Sequence, residues 1–305
     1  MKRIAVIADI HSNLFALEAV IEDLEKQQVD EIIVAGDLVG RGPQGSAVVR
    51  RIQGLGWPCI RGNHEDYVIN FYKGKIPEDW KTSEEWSAAR WMGDEMDEET
   101  IEFIDALPMT MTSSLEPDLR LYHGSPNAYN EGIGSWTQEE QLSDYIDAIE
   151  ENLLVCAHTH RPWSYESAQG MIVNVGSVGL PFNGDTRAQY AIFHREDGRW
   201  QVEFRQVDYD RSSFLAYYKT SGFLEAGGFT SRLLVMELEH ARPFLVPFLF
   251  MTKVKEMEAH EKNIGAFLDV YDCTQPMKVF FEYLNQDASQ KLDAFSKPNL
   301  YKKKV

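Results

Sequence analysis

Apolar positions along the chain follow two rhythms. IAVIA at 4–8 is a continuous, β-prone run that suits a strand buried on both faces. Leu14, Leu17, Ile21 and Leu24 then recur at helical spacing and predict a helix over 13–27. EIIVAG at 31–36 repeats the strand signal. The helix-like SAVVRRIQGL leads to WPCIRG at 57–62, a third strand closed by Gly62. This β-α-β-α-β order predicts a parallel sheet covered by helices.

Between about 65 and 107 the pattern turns helical. Thr82 with Glu85 matches a capping box. Asp97, Glu98 and Glu99 favour a helix start, and Ile101, Ile104 and Leu107 mark one apolar face ending at Pro108. Thr137 with Glu140 matches a second capping box, ahead of Leu142, Tyr145, Ile146 and Ile149. Strand-like runs follow at 119–122, 153–157, 171–175, 189–194 and 200–207. From about 241 the character changes to PFLVPFLFM, a charged helix-like stretch, PMKVFFEYLN and a solvated tail with Lys302, Lys303 and Lys304. The expected organisation is a catalytic domain over 1–240 with a helical insertion at about 65–107. Residues 241–305 form a C-terminal appendage, either packed on that domain or mediating homo-oligomerisation.

Charge narrows the partners. A net charge of −18 with pI ≈ 4.9 is incompatible with a broad nucleic-acid surface, so any phosphate recognition is local. Three widely spaced cysteines, Cys59, Cys156 and Cys273, read as reduced thiols, with Cys59 and Cys156 as small buried residues. The opening apolar run is too short for a signal peptide, and no segment reaches the roughly 20 apolar residues of a membrane span. The expectation is a cytoplasmic protein with no membrane partner.

Polar residues of one chemical kind sit at the strand ends. Asp9 and His11 follow the first strand, Asp37 the second, Asn63 and His64 the third. His123 follows LRLY, and His158 and His160 follow LLVCA. The carboxyl ends of strands form the natural crevice of an open α/β sheet. A lone Asp there is usually a helix cap and a lone His a satisfied core residue, but five strand ends each delivering a ligand type point to metal. Imidazole and oxygen without thiolate suit Mn foremost, with Fe, Zn, Co or Ni as alternatives, over a closed structural zinc site. Seven ligands exceed the needs of one ion and suit two, which could clamp the attacking and leaving oxygens of a phosphoryl displacement.

DIHSN at 9–13, GDLVGRGP at 36–43, GNHE at 62–65, YHGSP at 122–126 and AHTH at 157–160 occur in the order seen in the calcineurin-like metallophosphoesterase superfamily. The chain resembles that superfamily over roughly 1–240. The stretch ending in DALP and the later NVGSVGLPFNGDTRAQYAIF look like its small bacterial phosphodiesterase and diadenosine-tetraphosphatase-like members. The resemblance implies an α/β fold, a four-layered αββα sandwich. It implies two divalent metal ions, one held by Asp9, His11, Asp37 and His160 and the other by Asp37, Asn63, His123 and His158, with Asp37 bridging. A hydroxide shared by the ions would attack phosphorus, and His64 would protonate the leaving oxygen. Arg41 matches an arginine that clamps phosphate in symmetrical diadenosine tetraphosphatases and Ser/Thr protein phosphatases, although Gly40 stands where the latter carry an acidic residue. Asn13 completes the substrate-binding set, while Arg61, Arg161 and Arg187 read as structural or surface residues. Ala157 departs from the Gly that usually opens the last motif. The implied activity is hydrolysis of phosphodiesters or dinucleoside polyphosphates, with a small phosphorylated molecule such as a nucleotide as partner. A Ser/Thr protein-phosphatase-like phosphomonoesterase and a non-catalytic scaffold are the alternatives.

Overall fold

The computed structural model describes residues 2–273. The lysine tail and the run PMKVFFEYLN lie outside them. β1 (Arg3–Ile7), α1 (Leu14–Gln27), β2 (Glu31–Val34) and α2 (Gly45–Leu55) follow the expected order, and β1 pairs with β2 in parallel. The third strand is reduced to one parallel bridge, Val34 to Cys59. Pro58 has no N–H to give, and the Arg61 N–H turns to Pro108 O at 2.7 Å, so the ladder stops there.

Next come α3 (Asn63–Tyr72), α4 (Ser87–Glu95) and α5 (Glu98–Asp105), with 3-10 turns at Glu78–Lys81 and Glu84–Trp86 between α3 and α4. The Thr82–Glu85 capping box does not form: Ser83 precedes the second 3-10 turn and makes no side-chain cap. A reciprocal box forms instead at Asp97, whose carboxylate accepts the Thr100 N–H at 3.0 Å while the Thr100 hydroxyl takes the Asp97 N–H at 3.2 Å. Thr in place of Glu at the third helical position hides this box from the usual template.

The chain continues through β3 (Thr110–Thr112), β4 (Leu119–Tyr122), α6 (Glu139–Asp147), β5 (Leu153–Cys156), β6 (Trp163–Glu166), β7 (Met171–Asn174), β8 (Ala188–Glu196) and β9 (Arg199–Val207). The Thr137–Glu140 box is also absent, because the Thr137 hydroxyl accepts from Gly134 N at 3.1 Å and Gln138 stands at the cap of α6. Two sheets result, ordered β2-β1-β8-β9 and β3-β4-β5-β7-β6. Both are mixed, which corrects the all-parallel expectation: β1 pairs antiparallel with β8, and the short edge strands β3 and β6 are antiparallel additions that the pattern did not announce.

Alternation along the strands builds the layers. Ile4, Val6 and Ala8 face Leu121, Val155 and Val173 in a dry core between the sheets, where the Ala157 methyl also lies. Ala5 and Ile7 point the other way, onto Leu17, Val20 and neighbouring helices. Leu154, Cys156 and Ile172 meet Leu142 and Ile146 of α6 on the far side. The layers are therefore αββα. Burial pushes the Cys59 and Cys156 thiols up.

Beyond the sheets lie α7 (Arg211–Thr220), α8 (Phe223–Ala226), α9 (Gly228–His240), α10 (Leu245–Val254) and α11 (Ile264–Leu268). Leu234 and Leu238 of α9 join the helical core of the first sheet. Phe229 and Leu233 of the same helix pack on Phe244, Phe248 and Phe267, so the apolar run at 243–251 is buried against α9. Among the described residues no helix is long and apolar enough to cross a membrane.

Candidate metal centre

The loops leaving β1 and β2 extend their pairing as a backbone zipper, with Asp9 N to Gly36 O at 3.1 Å, His11 N to Asp37 O at 3.0 Å and Ser12 N to Leu38 O at 2.9 Å. In the second sheet the β4–β5 pairing is extended likewise, Ala157 N donating to His123 O at 2.9 Å. Asp9, His11, Asp37, Arg41, His158 and His160 all adopt positive φ, between 49° and 66°. Left-handed backbone at so many non-glycine residues is strained and concentrates at functional sites. The glycine before Asn63 has a steric reason: a Cβ on Gly62 would lie 2.2 Å from Asp37 Oδ1.

These loops bring every candidate ligand except Asn63 into three overlapping groups whose ligand atoms lie within 4.8 Å of one another: Asp9, His11 and His160; His11, Asp37 and His64; Asp37, His123 and His158. Each inner imidazole is aimed by a backbone carbonyl. His11 Nδ1 meets Val39 O at 3.2 Å, His123 Nδ1 meets Ala35 O at 2.7 Å, and His160 Nδ1 meets Leu180 O at 2.5 Å. With Nδ1–H donated outward, Nε2 turns its lone pair inward, the orientation a ligating histidine needs. His11 Nε2 and His160 Nε2 stand 3.0 Å apart, and His123 Nε2 is 3.2 Å from Asp37 Oδ2. Asp9 Oδ1 and Asn63 Oδ1 are buried without hydrogen-bond partners, and Asp37 Oδ2 and His123 Nε2 have only each other. Orphaned lone pairs in a buried cluster are expensive unless a cation takes them. The donor set therefore fits a metal.

Charge distribution agrees. Burial, reinforced by neighbouring imidazoles, holds His11 well below the ordinary histidine range and His158 at about 3. Burial, with Arg41 next, holds His160 well below it. These rings are neutral, as coordination requires. Burial opposes charge on His123, yet Asp37 and Asp9 lift it to about 10. Burial likewise would raise Asp37, but His123 and His64 hold it well below the usual carboxylate range, while burial and the Asp37 charge push Asp9 well above it. A cation would do for both carboxylates what one protonated imidazole does for Asp37.

The remaining candidates separate. His64 Nε2 accepts the Arg41 Nε–H at 3.2 Å, and burial lowers its pKa to about 4. Arg41 is held on its other side by Glu237, Nη1 to Oε2 at 3.1 Å. Asn13 lies deeper: its oxygen caps α1 at Ala16 N, and both amide hydrogens are committed, to Gly179 O at 3.1 Å and to the Tyr209 hydroxyl at 3.2 Å. Its amide thus serves as the cap of α1, a role that has the same sequence signature as a substrate contact. Arg61 is structural, bound to Asp66, Asp105 and Ile104 O, and Arg187 pairs with Asp185 on the surface.

Three supporting residues escaped the sequence reading. Glu65 accepts from Asp37 N, Leu38 N, Val39 N and Gly62 N at 2.7–3.3 Å, clamping the loop that carries Asp37. Asn174 ties Ala157 O and the Thr159 hydroxyl, steadying the loop of His158 and His160. Glu237, on α9, anchors Arg41. Glu65 and Asn174 lay within motifs already noticed, GNHE and NVGSVGLP; Glu237 had no local signal.

An αββα sandwich with clustered imidazoles and carboxylates at its strand ends, able to bind metal, defines the class. The profile of the calcineurin-like phosphoesterase superfamily domain matches residues 1–198, and the chain belongs to that superfamily of hydrolases. An uncharacterised protein of Methanocaldococcus jannaschii is 30% identical over 226 residues, 68% of this chain and 88% of that one. The crystal structure of a metallophosphoesterase from Sphaerobacter thermophilus superposes with a TM-score of 0.64 at 28% identity, covering 79% of this chain and 99% of that one. A symmetrical bis(5'-nucleosyl)-tetraphosphatase of Erwinia tasmaniensis is 33% identical over 73 residues, 23% of this chain and 26% of the relative.

Proposed function

We propose that the protein is a dinuclear-metal phosphoesterase acting on phosphodiesters or dinucleoside polyphosphates. The observation that carries this is the convergence of Asp9 Oδ1, Asp37 Oδ2 and His123 Nε2, the imidazole nitrogen 3.8 and 3.2 Å from the two carboxylate oxygens, among carbonyl-oriented histidines. Asp9, His11, Asp37 and His160 would hold one ion, and Asp37, Asn63, His123 and His158 the other. Two divalent ions, Mn foremost, would supply an activated water and neutralise the nonbridging phosphate oxygens.

The chain's own residues do the rest. Arg41 reaches the centre with one face of its guanidinium spent on Glu237 and its Nε on His64, which leaves Nη2 for a phosphate oxygen. His64 sits against the ring of His11, with centroids 4.8 Å apart, and is neutral in the free site, its Nε2 lone pair held by Arg41 Nε–H. To protonate a departing oxygen it would first take a proton at Nε2, as anionic phosphate enters and draws Arg41 Nε away, and then pass that proton on. The likeness to a symmetrical bis(5'-nucleosyl)-tetraphosphatase supports the dinucleotide substrates. The protein-phosphatase alternative fits less well, because a Cβ at residue 40 would lie 2.3 Å from His64 Nδ1, so an acidic side chain could not stand there. The free thiols of Cys59, Cys156 and Cys273 support a cytoplasmic setting.

A hydrolysis screen with Mn across dinucleoside polyphosphates, nucleotides, phosphodiesters and phosphopeptides tests the reading. Turnover of dinucleotides or diesters that is lost on chelation is expected. Turnover restricted to phosphopeptides, or no turnover with two ions bound, would overturn it.

A further inference from the structure

A cavity of about 230 Å3 opens beside the polar cluster and has an uneven lining. At one end its wall is Arg41, Asn63, His64 and His158, side chains of the candidate centre. The rest is largely carbon, represented by Val68 of α3, Ala89 and Met92 of α4, Leu234 of α9 and Leu249 of α10, with Glu85, Asn130 and Thr230 as polar side chains among them. The Thr230 hydroxyl in that wall is already spent, donating to Gly227 O at 2.7 Å and accepting from Ala88 N at 3.3 Å.

A phosphoryl group seated on the polar end leaves the carbon wall facing whatever is esterified to it. Removing an apolar group from water against that wall is favourable, whereas ribose hydroxyls would find few partners beyond Glu85 and Asn130, and further phosphates would meet the Glu85 carboxylate. One polar end and an apolar body is the general form of a small-ligand site. We infer that the cavity binds an alkyl or aryl ester group, so that the site selects phosphoesters of hydrophobic alcohols. The inference rests on phosphoester hydrolysis at the cluster, adds the class of alcohol, and takes the phosphodiester half of the proposed function against dinucleoside polyphosphates. It also assigns a task to the two helical segments outside the sheets, residues 63–95 and 228–254, which pack on each other beside this cavity, with Ala88 N donating to the Thr230 hydroxyl.

The probes are n-alkylphosphonates from methyl to hexyl, assayed on the Mn-loaded full-length protein as inhibitors of bis(p-nitrophenyl) phosphate hydrolysis. Each buried methylene should lower Ki by about fourfold, giving on the order of 10³-fold from methyl to hexyl. Ala89→Phe plants a ring in the cavity from a half-buried position and should compress that range to less than about tenfold. Leu249→Ala enlarges the cavity and should carry the gain on to octyl and decyl chains. A flat series in the parent, a slope unchanged in both variants, or tighter inhibition by AMP than by hexylphosphonate would overturn the assignment while hydrolysis persists. If no phosphoester is hydrolysed, the hydrolytic reading fails instead, and calorimetry with the same phosphonates still measures the cavity.

Discussion

The metal-centre loops and the helical wall beside them are built by opposite means. In the loops, position is imposed by backbone: left-handed residues, a carbonyl behind each inner imidazole, and Glu65 gathering four N–H groups under Asp37. In the wall, position comes from side-chain packing between α3, α4, α9 and α10, with Phe229, Leu233, Phe244 and Phe248 behind it. Backbone-imposed geometry tolerates little change, whereas a packed apolar wall accepts volume-conserving substitution. Changes in the loops should therefore remove chemistry, and changes in the wall should alter which ester is accepted.

The sharpest break is Asp37→Asn. It weakens the carboxylate assigned to both ions and lets Oδ2 become an amide. We expect kcat/KM to fall by roughly 10³-fold or more, with metal content dropping below two ions per chain. Metal analysis showing two ions together with near-parental turnover would remove Asp37 from the bridge. His64→Ala ranks next and should discriminate between leaving groups. A general acid is worth about 10²–10⁴ for an alkyl or nucleoside leaving group and much less for nitrophenolate. Parallel plots of kcat/KM against leaving-group pKa for parent and variant would make His64 a support of the loop.

These loops were also the legible part of the molecule. Asp9, His11, Asp37, Asn63, His123, His158 and His160 each directly follow a run of apolar β-formers, so a one-dimensional pattern locates them at one end of a sheet. The edge strands β3 and β6 were not legible, because three or four half-exposed residues lack the burial that marks a strand. Both capping-box matches failed because Ser, Thr and Glu are common in loops and the template says nothing of competing partners such as Gly134 N. Asn13 is ambiguous for the same reason, since a helix cap and a ligand look alike in sequence. Glu237 was out of reach: it meets Arg41 only through the docking of α9, and nothing within its own helix shows that a buried carboxylate needs a distant guanidinium.

Glu237 is where the two regions touch, and it tests how separate they are. Its Oε1 takes Phe244 N and Leu245 N at 2.8 and 2.9 Å, and its Oε2 takes Arg41 Nη1. Arg41→Ala should leave both ions bound and lose about 1.5–3 kcal/mol of transition-state stabilisation, roughly one to two orders of magnitude in kcat/KM. Arg41→Lys should recover part of it, lacking the fork. Glu237→Gln keeps the bonds to α10 but removes the ion pair, so a smaller loss confined to kcat is expected, of about 3–10-fold. An unchanged kcat with a lowered melting temperature would make Glu237 a packing residue alone.

The smallest effect belongs to Glu95 at the end of α4, which is not among the candidate ligands. Its Oε2 accepts the Ser46 N–H at 3.0 Å and its carbonyl accepts the Ser46 hydroxyl at 3.0 Å, which ties α4 to the first turn of α2. Burial pushes its carboxyl up to about 7, above the 4.5 of a free side chain. The unfolded chain thus releases this proton at lower pH than the folded one. The stability contributed by protonated Glu95 is complete below about 4.5 and is lost as pH rises through about 7. Glu95→Gln removes the titration. Between about pH 5 and 8 the parent should lose on the order of 1–3 kcal/mol that the variant retains, read from denaturant melts. Turnover above pH 7 should change by less than about twofold, since a substitution away from reacting atoms and their supports acts on stability alone. Parallel stability profiles would show that the helix terminus of α2 keeps Glu95 ionised, whereas altered turnover would show that the wall cannot be adjusted without moving the centre.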